Sequence, residues 1–317
     1  CYDIVNYDYF SGAHTMQNVL LTLWPLFALI ALGAILRRNK AFEPAFWVGT
    51  EKLNYFLLFP ALLLNSLANA PLSDPQLPHL AGAIFSVVII TTILCVIFKK
   101  ITGWSAGRFG AIVQGNIRFN TYLGLAIVAD LFGVEGLGIA ALILATLVPL
   151  SNVTSVLCLT AGQNVTFRQL IFPIIKNPLI ISCVIGIVIN LSGIGLPFGS
   201  DQFLKLLAAT SLPLGLICIG AALHLSTLKA ESKMISINTV TRLLIVPIIA
   251  YSVANFLGLS PLVMMLLVIF FSIPTAPTSY ILTRQLGGDS ELMAGIITAQ
   301  TMLAAITLPI VLSFLIP

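Results

Sequence analysis

The sequence predicts an all-α polytopic membrane protein with ten transmembrane helices, arranged as two inverted five-helix repeats with broken crossing helices 4 and 9. Of the 317 residues, 58% are hydrophobic and only 8% are charged, and the mean hydropathy is +1.05. A soluble domain has roughly a quarter of its residues charged. Apolar runs near the ~20 residues that cross a bilayer recur along the chain, and landmarks recur between its two halves.

The ten predicted spans are separated by short polar breaks. They cover residues 18–37, 46–69, 79–98, 109–131, 136–160, 178–197, 202–226, 233–257, 261–286 and 290–316. The fourth and ninth spans are the least regular, because both are polar in the middle.

Residues 1–15 do not resemble the rest of the chain. They contain neither a basic segment nor the apolar stretch of a signal peptide. The run Gly12-Ala-His-Thr-Met16 resembles a cloning junction, and Met16 is a natural start. We interpret 1–15 as an added leader without a role in function.

Basic residues predict the orientation in the membrane. They follow the odd-numbered spans, as Arg37, Arg38, Lys40, Lys99, Lys100, Arg108, Arg168, Lys176, Lys229, Lys233 and Arg284. By the positive-inside rule the odd-numbered loops are cytoplasmic and both termini lie outside the cell. The expected location is the inner (plasma) membrane. The net charge of +4 is a topology signal, and no nucleic-acid partner is indicated.

An internal repeat relates the halves 16–160 and 161–317. A shift of 153 residues carries Pro60 in span 2 onto Pro213 in span 7, and Thr121 onto Pro274. Because each half has an odd number of spans, the halves have opposite orientations, an arrangement common in secondary transporters.

Two predicted interruptions carry the functional prediction. Pro274 and Pro277 remove helical N–H donors inside span 9, and broken helices at membrane depth occur where they are buried or line a polar cavity. Span 4 holds polar residues over 114–124. Helix N-termini and amide side chains there favour an anion, most naturally a carboxylate. The candidate substrate-binding residues are Asn116, Arg118, Asn120, Thr121, Pro274, Thr275, Ala276, Pro277 and Thr278.

Several ionisable residues allow two interpretations. Arg118 either neutralises a substrate carboxylate or is a structural charge held by backbone carbonyls. Arg242 is either a second intramembrane charge or, as we favour, extends to the cytoplasm. His224 is expected at an interface rather than in a proton relay, and Asp130 in a solvated loop.

The residues of the two interruptions resemble a known family. The stretches R-F-N-T-Y-L-G (118–124) and P-T-A-P-T-S-Y-I-L-T-R-Q-L-G-G-D (274–289) are similar to the auxin efflux carrier family, and closest to its bacterial malate-permease-like branch. The resemblance implies a fold similar to bile-acid/sodium symporters. It also implies a scaffold of spans 1, 2, 6 and 7, and an elevator-like transport domain of spans 3–5 and 8–10 that carries substrate at the crossover of spans 4 and 9. Its substrates are organic anions, indole acetate in plants and dicarboxylates such as malate in bacteria. Span 4 lacks the proline of plant members, so its break is expected to depend on Asn120.

We therefore expect a secondary transporter of small organic anions, mono- or dicarboxylates, working by alternating access. The alternative is a channel-like or sensory membrane protein that binds a carboxylate. No catalytic or metal-binding pattern is evident, so neither an enzyme nor a cofactor is predicted. The partners are the anion and the lipid bilayer. Spans 4 and 9 contain few carboxylates, which argues against sodium coupling and leaves proton coupling, exchange or uniport. A homodimer is possible as well.

Overall fold

A computed structural model describes residues 16–40, 42–70, 76–161, 172, 175–228 and 231–315. All regular secondary structure in these ranges is helical. The proposed leader lies outside them, as do Arg168 and Lys229 of the charge pattern. The first half contains α1 (Met16–Arg38), α2 (Pro44–Leu53), α3 (Phe59–Ala68), α4 (Leu77–Thr102), α5 (Ala106–Ile117) and α6 (Thr121–Leu159). The second half contains α7 (Pro178–Ser192), α8 (Ser200–Ala221), α9 (Ser232–Val240), α10 (Val246–Phe256), α11 (Pro261–Ser272), α12 (Thr278–Gln285) and α13 (Ser290–Leu315). π-helical turns join α2 to α3 (Asn54–Leu58) and α9 to α10 (Thr241–Ile245), and a 3₁₀ turn covers Leu225–Leu228.

The peripheral helices present apolar side chains outward. On α4, Ile89, Ile93 and Ile97 are four residues apart and about half exposed, which places them on one face. Such a face is stable against lipid rather than water. Five helical stretches in the described part of the chain are long and apolar enough to cross a membrane: 77–102, 106–159, 200–221, 232–256 and 290–315. The chain is therefore a multi-pass membrane protein.

The stretch from α5 through α6 is interrupted twice. Residues 118–120 separate the two helices. Within α6, Gly133 has φ 57° and ψ −145°, a conformation that glycine adopts without the steric cost of a Cβ atom. A straight helix of 39 residues would be about 58 Å long, almost twice the hydrocarbon thickness. The bend at Gly133 divides α6 between the predicted spans 4 and 5.

Helix bounds in the two halves follow the 153-residue shift. Moving α4 from 77–102 by 153 gives 230–255, and the helical stretch in the second half is 232–256. Moving α5 from 106–117 gives 259–270, against 261–272 for α11. These two stretches thus recur in the same order and with nearly the same length in both halves.

Small residues bring α1 and α8 into backbone contact. A Cβ atom on Gly220 would overlap the carbonyl of Ile30, and one on Gly33 would overlap the carbonyl of Ile217. Glycine lets helix backbones approach closely within a membrane. On α7, Gly186 packs in the same way against the backbone of Leu64 in α3. The helices of predicted spans 1, 2, 6 and 7 therefore form one packed group.

We predict that Gly220→Ala lowers the thermal unfolding temperature, because the added methyl group collides with the α1 backbone. Alanine is intrinsically better than glycine in a helix by about 1 kcal/mol. The matched control is Gly82→Ala in α4, where an added Cβ has no neighbour within 4 Å. That variant should unfold at the same or a higher temperature. Equal shifts for the two variants in detergent would contradict the close α1–α8 contact.

An ion-pair cluster connects the starts of α5, α9 and α13. Arg108 donates from Nη1 and Nη2 to the two carboxylate oxygens of Glu231 at 3.0 and 2.7 Å. Asp289 Oδ2 lies 3.9 Å from Arg108 Nη1, and Asp289 Oδ1 accepts from the N–H of Leu292 in α13. The hydrogen bonds from Arg108 lower the pKa of Glu231 below its ordinary value.

We predict a small pH-dependent contribution from this pair. Because the pKa of Glu231 is lower in the folded protein, the contribution is present above the unfolded pKa and is lost as pH falls through the folded pKa. Glu231→Gln should therefore lower the unfolding temperature at pH 7 and have little effect under strongly acidic conditions. Glu291→Gln, a nearby carboxylate outside these ion pairs, is the control. A pH-independent effect of Glu231→Gln would rule out this ionic contribution.

Candidate functional site

The two interruptions lie at the ends of helices that are buried all round. Residues 109–117 of α5 and 265–272 of α11 are all buried. After α5, Arg118 adopts extended backbone angles, φ −77° and ψ 157°. After α11, Ile273 does the same, with φ −77° and ψ 153°. Both chains leave the helical path at these residues and resume it at Thr121 and Thr278.

Hydrogen bonds join the two interruptions directly. The N–H of Asn120 donates to the carbonyl of Pro274 at 2.8 Å. The Thr275 hydroxyl donates to the carbonyl of Gln114 at 3.2 Å, and Arg118 Nη2 donates to Thr278 Oγ1 at 3.1 Å. The segments 118–120 and 273–277 therefore form one connected unit, although they are more than 150 residues apart in sequence.

Asn120 accounts for the break that lacks a proline. Its side-chain Oδ1 accepts from the N–H of Leu123 at 3.2 Å and caps the start of α6. Its own N–H is directed to Pro274 rather than to the helical acceptor Asn116. The expectation that Asn120 maintains the break in place of proline agrees with this geometry.

A cavity of about 450 Å³ lies beside this unit. It is bounded by the two interruptions on one side and by α2, α3, α7 and α8 on another. Its polar lining residues are Glu51, Lys52, Tyr55, Arg118, Asn120, Thr121, Tyr122, Ser151, Asn152, Asn177, Thr278 and Gln285. Most of the remaining wall is apolar, including Phe56, Phe59, Val148 and Leu179.

Arg118 is a cation in this wall that forms no ion pair with any Asp or Glu of the described residues. The ion pairs within the described ranges are Arg108 with Glu231 and Asp289, and Lys205 with Asp201. The hydrogen bond of Arg118 goes to the neutral hydroxyl of Thr278. A guanidinium has five N–H donors, so Arg118 retains N–H donors beyond this one bond.

Asn120 adds a second donor. Its Nδ2 atom is buried without a hydrogen-bond partner, and the residue lines the same cavity as Arg118. Buried amide groups are nearly always paired. Nδ2 is therefore an unpaired donor in the wall that also holds Arg118.

The nine predicted site residues divide into two groups. Lining the cavity are Arg118, Asn120, Thr121, Ala276, Pro277 and Thr278. The other three, Asn116, Pro274 and Thr275, are not among its lining residues. Asn116 and Thr275 are buried behind the interruptions, where they contact other parts of the protein. The predicted residues thus lie on two faces of the interruptions, which the sequence pattern did not distinguish.

Behind the interruptions, long polar side chains satisfy exposed backbone groups. Gln300 Nε2 donates to the carbonyl of Gly115 and to Asn238 Oδ1, both at 2.9 Å. Gln300 Oε1 accepts from the N–H of Thr275 at 2.8 Å, and Asn238 Nδ2 donates to the carbonyl of Ile112 at 2.9 Å. The amide of Gln300 in α13 thus replaces hydrogen bonds that the broken helices lack, and Asn238 in α9 adds a bond to the α5 backbone.

Arg242 belongs to this rear face, and our expectation that it extends to the cytoplasm is wrong. The side chain is 0% exposed, and all three of its hydrogen bonds go to backbone carbonyls of the interrupted helices. It remains inside because those carbonyls supply acceptors that lipid cannot. His224 and Asp130 are exposed, in agreement with their predicted surface positions.

Sequence reasoning missed the opposite wall of the cavity. Glu51, Lys52 and Tyr55 line it from α2 and the following π-helical turn. The available signal was a charged pair within predicted span 2, followed by a tyrosine one helical turn later.

Among the described residues no group of three His, Cys, Asp or Glu side chains is placed to hold a metal ion.

We predict that Gln300→Leu lowers the free energy of unfolding by about 2–4 kcal/mol, because it leaves the Gly115 carbonyl, Asn238 Oδ1 and the Thr275 N–H unpaired in the interior. Gln285→Leu, on an exposed residue of α12, is the matched control and should change stability little. Thermal unfolding in detergent measures both. If Gln300→Leu were as stable as the control, the network would not support the interruptions.

Comparison with known proteins relates the chain to transporters. The model of the membrane transport protein family matches residues 164–312, which include the second interruption. An uncharacterized transporter from Methanothermobacter thermautotrophicus is 25% identical over 309 residues, which cover 91% of this chain and 96% of that protein. Together with the membrane-spanning helices, these similarities support a membrane transporter.

Proposed function

We propose that the protein is a secondary transporter of small organic anions that binds a carboxylate where the two interrupted helices meet. The observation that carries the proposal is Arg118, which lines a cavity of about 450 Å³ at this meeting point and forms no ion pair with an acid in the part of the chain that the structure describes. Discontinuous helices near the bilayer midplane are common binding sites in secondary transporters. An intramembrane ionisable group marks a functional site by default.

The anion's carboxylate is held by complementary donors. Arg118 supplies charge and a planar pair of N–H groups that matches a carboxylate. Asn120 Nδ2 supplies a further donor, and the N-terminus of α6 at Thr121 adds the positive end of a helix dipole. All three elements face the same cavity.

The rest of the cavity suits the organic part of the substrate. Phe56, Phe59 and Val148 provide apolar surface. Lys52 on the opposite wall is a second cation for a dicarboxylate such as malate, which is the substrate class of the bacterial malate-permease-like branch. Monocarboxylates use the Arg118 corner alone.

The movement that we propose is an elevator step. The cavity lies between the packed group of α1, α2, α3, α7 and α8 and the interrupted helices. Sliding the interrupted helices past this group would carry the site from one face of the membrane to the other. In this scheme ten helices cross the inner membrane as two inverted repeats and both termini lie outside.

We predict that Arg118→Gln reduces saturable carboxylate uptake by proteoliposomes at least tenfold, because it removes the only substrate-facing charge at the interruptions. Asn120→Ala should weaken uptake less, since one neutral hydrogen bond is lost. A substrate panel of malate, malonate, benzoate and indole acetate identifies the transported acid.

The control is Arg284→Gln, an exposed arginine at the end of α12 that does not line the cavity. It should transport at the wild-type rate. Wild-type protein that transports no acid of the panel, or an Arg118→Gln variant as active as the control, would refute the proposed site. Flux that does not saturate with concentration would instead favour a channel.

A further inference from the structure

The buried guanidinium of Arg242 lies at the ends of both interrupted helices. It belongs to the π-helical turn Thr241–Ile245, in the middle of the membrane-spanning stretch 232–256. Its Nε donates to the carbonyl of Ile273 at 2.9 Å, Nη1 to that of Asn116 at 2.8 Å, and Nη2 to that of Phe270 at 3.0 Å. One side chain therefore caps α5 and α11 simultaneously.

Each of these carbonyls has lost its helical donor for an identifiable reason. The partner of the Phe270 carbonyl would be the N–H of residue 274, and that of Ile273 would be the N–H of residue 277. Both residues are prolines, which have no N–H. The partner of Asn116 would be the N–H of Asn120, which donates to Pro274 instead.

The charge of Arg242 is balanced without a carboxylate. Within the described part of the chain, no Asp or Glu forms an ion pair with it. A helix C-terminus carries roughly −0.5 of an elementary charge, so two such ends together offset about one positive charge. The guanidinium and the ends of α5 and α11 therefore form a neutral group.

In transporters with broken helices, half-helix C-termini and unwound carbonyls are the groups that coordinate a coupling Na⁺. Here the neighbouring carbonyls are also occupied. The Thr275 hydroxyl donates to the carbonyl of Gln114, the Gln300 amide to that of Gly115, and the Asn238 amide to that of Ile112. To reach these backbone oxygens, a monovalent cation would have to displace Arg242 or one of these side chains; two side-chain oxygens of the same segment, Gln114 Oε1 and Asn116 Oδ1, are buried without a partner.

We propose that Arg242 is a tethered counter-cation that takes the place of a coupling ion at the rear of the interruptions, so that the carrier neither binds nor requires Na⁺ there. This inference rests on the proposed function, since only a transporter has a coupling ion. It assigns to Arg242 a positioning role, because the residue holds the helix ends that form the anion site and does not line the cavity itself.

The test measures thermal unfolding of purified protein in detergent, in NaCl, LiCl, KCl and choline chloride at equal ionic strength. Wild-type protein should unfold at the same temperature in all four salts. Arg242→Gln opens the carbonyl cluster to a cation, and should unfold at a lower temperature than wild type in choline. Na⁺ or Li⁺ should then raise that temperature in a saturable manner, by several degrees at saturation.

The matched control is Asn190→Ala. Asn190 Nδ2 also donates to three carbonyls, those of Leu67, Ala68 and Ala70 at the end of α3, but it carries no charge. Its variant should lose stability without acquiring a cation response, which separates loss of a cap from loss of a cation.

Saturable stabilisation of the wild type by Na⁺ overturns the inference, even if Arg242→Gln does not fold. A folded Arg242→Gln protein that is indifferent to every cation also overturns it. These readouts need no substrate. If the wild-type protein shows no response to Na⁺ and transports no carboxylate, only the proposed function is contradicted. If it binds Na⁺ and transports a carboxylate, only the role of Arg242 is contradicted.

Discussion

The structure depends on satisfying backbone carbonyls that two broken helices leave unpaired inside the membrane. Lipid offers no hydrogen-bond donors, and each unpaired group costs several kcal/mol. The missing donors are supplied by long side chains from elsewhere in the fold, namely Arg242 and Gln300. Non-helical backbone can exist at this depth because those side chains reach it.

The two faces of the interruptions have different electrostatic character. On the rear face, Asn238 and Gln300 donate to backbone carbonyls, and the positive charge of Arg242 is matched by two helix C-termini. On the cavity face, Arg118 keeps its charge and Asn120 keeps an unpaired amide nitrogen. The rear face stabilises the fold, while the cavity face retains unsatisfied donors, which hold the anion in the proposed function. This difference lets a polar segment in the membrane be stable and still offer donors to a ligand.

Helix packing places the cavity wall opposite these donors. Backbone contact at Gly33 and Gly220 joins α1 to α8, and Gly215 of α8 lies against Tyr122 next to the first interruption. Asn54 and Ser211 hydrogen bond reciprocally between the π-helical turn and α8. Glu51 and Tyr55 are thereby presented to the cavity from a group of helices that is well packed in its own right.

The sequence by itself determined the membrane class, the positions of the helices and the two segments that interrupt them. These features follow from composition, from apolar run length and from proline chemistry, which act locally along the chain. The 153-residue shift in the sequence pairs the same two interruptions that hydrogen bonds join in the structure.

Only the tertiary structure decided which polar side chains face the cavity and which face inward. Thr275 and Thr278 are three residues apart and chemically alike. Thr275 is buried against Gln300 behind the interruptions, whereas Thr278 lines the cavity. Arg242 was expected to reach water, because a single sequence does not show that three carbonyls from α5 and α11 converge on it. Hydrogen bonds between residues far apart in sequence set these orientations, and local pattern carries no information about them.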